Sequence, residues 1–313
     1  MNSPALILAA GLLALAPLSA QAKIERTVTK TFSVQPGGRL TVATQGGDIR
    51  VLTAPDAVVT VVARQRIRAD SETAADELLK KLALTIELQA GGVAATAVYE
   101  KAASSFHVGA WPPVRVDFTV TVPANYHADL KTSGGDITVG DLLGRVEAHT
   151  SGGDLTLGRI TGDVHAGTSG GDVCLREGRA AVKLGTSGGD LRVGRVAGPA
   201  ELSTSGGDID VTAAENTLAA STSGGDISVG FTGALRGDSQ LRTSGGQVRV
   251  TVDPAAGFIL DAATSGGGVT ADGLTLTVER GGAGRSRLAG KVQGGGPVLK
   301  LRSSGGDIEV RTR

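Results

Sequence analysis

The sequence is poor in the residue types that usually staple or fill a core: one cysteine, Cys174, one tryptophan, Trp111, and 3% aromatic residues in all. A lone cysteine closes no intramolecular disulfide, so packing and backbone hydrogen bonds must hold the fold. So few rings argue against a broad core and suit a thin one. Excess charge is missing as well. Lys and Arg number 31 and so do Asp and Glu, which leaves no net attraction for nucleic acid or any other polyanion. After the first residues, no apolar run approaches the roughly 20 residues of a membrane-spanning helix. Of the four histidines, His107, His127, His149 and His165, the last two fall in successive repeats but in different columns, next to Gly167 and Lys183. No metal site is expected from that spacing. No histidine recurs with the repeated serines, and no acidic pair marks a polysaccharide-cleaving groove. The chain is therefore expected to be no enzyme and to carry no cofactor.

What is abundant is glycine, 48 residues of it, and its placement is regular. The phrase Thr-Ser-Gly-Gly-Asp followed by an aliphatic residue starts at Thr132, Thr150, Thr168, Thr186, Thr204 and Thr222, in steps of 18 residues. Copies at Thr243 and Thr264 follow in steps of 21 with Gln247 and Gly268 in the Asp place, and Ser303 to Ile308 comes 39 residues later. A fixed period of this size marks a solenoid. Within a repeat, apolar residues alternate, giving the columns Ile137, Leu155, Val173, Leu191, Ile209, Ile227 and Val146, Val164, Val182, Ala200, Leu218. Period-two alternation predicts half-buried strands. The class is all-β: a parallel β-solenoid with 18-residue coils, right-handed by the crossover rule. The glycine pair is expected to supply positive φ at the corner.

Residues 1–22 read as a signal peptide: Ala5 to Ala22 is uncharged and small, and Ala20-Gln21-Ala22 fits a cleavage site. A membrane anchor is the rival reading of that run. Residues 23–131 read as a β-rich cap with a first coil and an excursion, and 132–313 as the repeat solenoid. Thr44-Gln45-Gly46-Gly47-Asp48-Ile49 is a worn copy of the phrase. Between it and Thr132, Val58 to Ile67 predicts a strand, and Asp70 to Leu82 a short helix capped by Asp70 or Ser71. Leu84 to Tyr99 predicts a hairpin turning at Gly91-Gly92, and Val114 to Val122 another strand.

That order, Thr29 to Gly38, then Gly-Gly-Asp-Ile-Arg-Val, a short helix, a hairpin, the strand before Pro123 and serial Ser-Gly-Gly-Asp repeats, resembles a bacterial family of exported proteins. The family is of unknown function and carries an adhesin label. The resemblance implies a β-helical exported protein associated with the cell envelope. It brings no catalytic or binding residues with it.

Three features are candidates for function. The column Asp136, Asp154, Asp172, Asp190, Asp208, Asp226 either binds calcium or accepts hydrogen bonds from nearby amides and corner hydroxyls. Trp111, in the loop 104–113, either holds a sugar or peptide or plugs the open end of the solenoid. From Arg280 to Arg313 eight basic residues face two acids, and Arg285, Arg287 and Lys291 among them either protect a strand edge from self-association or bind anionic envelope polymers, lipid head groups or glycans. The expected protein is an exported, non-enzymatic structural or interaction module, in the periplasm, on the cell surface or outside the cell. The alternative is a Ca²⁺-dependent solenoid that binds surface glycans.

Overall fold

The computed structural model describes residues 23–100 and 112–313. They form a parallel β-solenoid. Each coil gives one strand to each of two sheets, of 13 and 14 strands among the described residues. In the first sheet Ile137 pairs with Leu155, Leu155 with Val173, and Val173 with Leu191. In the second Val146 pairs with Val164, then Val182, then Ala200, each 18 residues on. Inward columns stack in this way into aliphatic ladders at the strand spacing of about 4.8 Å. Leu155, Val173, Leu191 and Ile209 have no exposed surface. Burying each contributes about 1.5–3 kcal/mol, which is how a chain with few rings holds a continuous core.

The corner of each coil is fixed by its first and last residues. Thr150 is buried; its Oγ1 donates to Gly135 O at 2.9 Å and accepts from Gly153 N at 3.3 Å. The same pair of bonds recurs at Thr168, Thr186, Thr204 and Thr222. These threonines therefore join one coil to the coil before it. The glycines differ from expectation: none of the corner pairs has positive φ. The second glycine is required by close approach, since a Cβ on Gly171 would overlap the carbonyl oxygen of Gly153. A Cβ on Gly170 would meet Gly152 O at 3.5 Å, an ordinary contact.

At both ends the coils stack out of sequence order. Strand Val298–Ser303 lies between Ser239–Arg242 and Phe258–Thr264, and Ile308–Thr312 between Val248–Val252 and Val269–Asp272. The C-terminal coil is thus the last but one in the stack, and the Thr264 coil lies outside it. An antiparallel hairpin, Leu276–Gly284 with Arg287–Val292, then extends the second sheet from Phe258–Thr264. The N-terminal end mirrors this arrangement. Gly92–Tyr99 and Val114–Pro123 flank Arg39–Thr44 and Ile49–Ala54 on the side away from the repeats. Antiparallel strands Val58–Arg68, Lys23–Ser33 and Leu82–Gln89 close that end. The helix is Glu72–Leu79, with Ser71 as its cap accepting from Ala74 N. Lys80 follows it and pairs with Glu77 at 2.6 Å.

Candidate functional site

The Asp column is a hydrogen-bond ladder. Oδ1 of Asp136 accepts the amide of Asp154 at 2.9 Å, Asp154 that of Asp172 at 2.8 Å, and Asp172 that of Asp190 at 2.8 Å. It continues through Asp190 and Asp208 to Asp226, whose Oδ1 takes Gln247 N. The corner threonine hydroxyls, expected to help, bond instead to the glycine carbonyls described above. At the N-terminal end Asp48 bonds Asp136 N, and buried Asp117 bonds Asp48 N. Asp117 is in turn held by Arg66 at 2.5 Å and Arg64 at 3.4 Å.

Repulsion along the column is offset by cations from the outward column. Arg192 spans two rungs, 2.7 Å from Asp172 and 2.6 Å from Asp190. The amide of Asp190 and then Arg192 hold the Asp172 carboxyl below its ordinary value. Asp210, opposite Arg192, moves the other way: partial burial, then the neighbouring Asp208, raise it. With one oxygen of each carboxylate on an amide, this geometry fits a structural column better than a string of calcium sites.

The basic residues separate into two groups that the sequence runs together. Arg302 is bound to Asp261 at 2.5 Å, Arg311 pairs with Glu309, and Arg313 donates to Thr232 Oγ1 at 3.1 Å. All three sit in the inserted C-terminal coil. Arg285, Arg287 and Lys291 belong to the end hairpin and are exposed. Trp111, the other candidate, lies outside the described residues. Cys174 is a free thiol, half-buried on the outward column.

The outer face of the second sheet carries a cluster not foreseen from the spacing. Glu147, His149 and His165 place one ligand atom each within 4.8 Å of one another. The two imidazoles meet edge to face with centroids 5.2 Å apart. Burial, and then His165, lower the pKa of His149. What brought these side chains together is a diagonal across adjacent rungs, not a shared column.

Among the described residues no helix is long and apolar enough to cross a membrane. Solved structures similar to the chain include a candidate adhesin from Bacteroides fragilis (12% identity, TM-score 0.41, covering 92% of this chain and 97% of that one). Another is a candidate adhesin from Parabacteroides merdae (11%, 0.47, 91% and 96%). A third is a candidate lipid-binding protein from Parabacteroides distasonis (14%, 0.43, 91% and 96%). No curated relative matches the chain. The family model for Toastrack DUF4097 matches residues 39–311, across the inserted coils at both ends, and the chain belongs to that family.

Proposed function

We propose that the protein is an exported, non-enzymatic interaction module of the cell envelope, a rigid rod that docks by the basic hairpin at one end. The observation that carries this reading is the exposure of Arg285, Arg287 and Lys291 together on the strand pair that ends the second sheet. Clustered charge acts locally even when a chain is formally neutral, and anionic lipid head groups or envelope polymers supply the opposite sign. The stack behind the hairpin is continuous, so contact at one end places the rest of the rod at a fixed distance.

Cosedimentation with vesicles of phosphatidylglycerol and phosphatidylcholine tests this. Binding should be present at low salt and weaken steeply towards physiological ionic strength, where screening shortens the reach of charge to about 8 Å. The triple variant Arg285→Ser, Arg287→Ser, Lys291→Ser should lose binding and keep the melting temperature. Binding that survives both changes rejects the electrostatic contact, and fibres formed by the triple variant would assign these side chains to edge protection instead.

A further inference from the structure

We propose that Glu147, His149 and His165 bind one divalent transition-metal cation of the Zn²⁺ class on the outer face of the second sheet. The register builds the site. Glu147 stands directly opposite His165, and His149 stands opposite Gly167. Having no side chain, Gly167 leaves the space beside the imidazole open: even a Cβ there would come 3.6 Å from His149 Nδ1. The His149 ring can therefore share a diagonal with His165 across the rung. Nε2 of His149 is 3.9 Å from Oε1 of Glu147. The ligand atoms lie within 4.8 Å of one another and donors around a zinc ion bonded at 2.0–2.2 Å are about 3.3 Å apart, so closing the set takes side-chain movement of about 1.5 Å or less, within the reach of rotamer adjustment.

Two neighbours prepare the site. Arg145 holds the other oxygen of Glu147 at 2.7 Å, which fixes the carboxylate and leaves Oε1 towards His149, as an outer partner does for a metal ligand. Asp129 pairs with Glu147 on the preceding rung, and its buried Oδ1 accepts no hydrogen bond. That same oxygen lies 3.4 Å from Lys131 Nζ, with which it forms an ion pair. On the far side Lys183, opposite His165, is engaged by Glu201 at 3.1 Å. Imidazole nitrogen selects Zn²⁺, Cu²⁺ or Ni²⁺ over Ca²⁺ and Mg²⁺, and three protein ligands leave a position for water or a fourth donor from outside.

Titration calorimetry of the untagged chain with Zn²⁺ tests the proposal, with Co²⁺ as a spectroscopic substitute. One site per chain is expected, with tetrahedral Co²⁺ absorption bands. His149→Gln, His165→Gln and Glu147→Gln should each weaken binding at least tenfold, and Cys174→Ser should leave it unchanged. If a variant folds poorly by circular dichroism, imidazole proton spectra of the unaltered protein decide: of its four histidines, His149 and His165 should shift on adding Zn²⁺. Absence of binding, binding retained by the His149→Gln/His165→Gln double variant, loss on Cys174→Ser, or shifts confined to other histidines would overturn the site.

Discussion

The carboxylate of Asp154 accepts the amide of Asp172 one coil on, at 2.8 Å, while the carbonyl oxygen of Asp172 accepts the amide of Leu155 at 2.9 Å. Each corner aspartate thus bonds both to its own strand ladder and to the next corner. A column of like charges is tolerated because every carboxylate serves as a rung-to-rung acceptor. Arg192 adds a bridge between two of them, Asp172 and Asp190.

Acid should act on the column through Asp172. Its folded pKa lies below the ordinary 3.8, so the ionised form is favoured by the fold. The resulting stability is present above the unfolded pKa and is lost as pH falls through the folded one. Urea midpoints measured from pH 6 downward should fall below about pH 4 in the wild type, and the fall should be smaller in Asp172→Asn. Asp210 has the opposite sign. Its pKa is raised, so ionisation opposes folding at neutral pH and the penalty disappears in acid. Asp210→Asn should raise the midpoint at pH 7 and lose that advantage below about pH 4. Equal pH profiles for the three proteins would refute both assignments.

The two glycines of a corner should behave differently. Gly171→Ala sets a Cβ against the backbone of the preceding coil, and backbone cannot rotate out of the way. A loss of at least about 2–3 kcal/mol is expected, in the range of overpacked cores. Gly170→Ala meets only ordinary contact and has no positive φ to strain, so its effect should stay within about 1 kcal/mol, with either sign. Similar losses in chemical denaturation for both variants would show that close approach is not what selects glycine here.

Much of this architecture was legible in the sequence. Ile137, Leu155 and Val173 recur in one column because only one face of each strand is buried, and Ser71 before Glu72 marks its helix through a capping bond. Stacking order was not legible. The phrases at Thr243, Thr264 and Ser303 present nearly the same corner, and local pattern cannot say which of three similar coils lies next to which. The site at His149 was hidden for a related reason: Gly167 looks like a neutral position until the register puts it opposite an imidazole.

Threonine in the corner is expected to be irreplaceable by its isostere. Thr186 donates to Gly171 O at 2.9 Å and accepts from Gly189 N at 3.3 Å, and it is 8% exposed. Thr186→Val keeps the shape and removes both bonds, leaving a carbonyl and an amide in the corner without that partner. Each unsatisfied group costs about 1–3 kcal/mol, so the variant should lose more than the roughly 0.5 kcal/mol typical of a surface change. Thr156→Val, on the outward column of the first sheet, is the control and should fall within that limit.

The inserted C-terminal coil should act as a lock on the far end. Leu301 is fully buried and pairs with Leu241 on one side and Ala262 on the other. Its neighbour Ser303 donates to Gly246 O, and Thr264 donates to Gly306 O. The Thr264 coil therefore reaches the rest of the rod through residues 298–312. Leu301→Ala should cost about 2–5 kcal/mol, as buried leucines do. A chain ending at Pro297 should lose more than that, locally. Hydrogen exchange on this truncated chain should show Phe258–Thr264 and Val269–Asp272 unprotected, while Val146–His149 through Leu218–Ser221 exchange as slowly as in the full chain, because each of those strands keeps both neighbours. Retained protection in Phe258–Asp272 would mean that the Thr264 coil can dock directly on the Thr243 coil. The inserted coil would then not be required to hold the end closed.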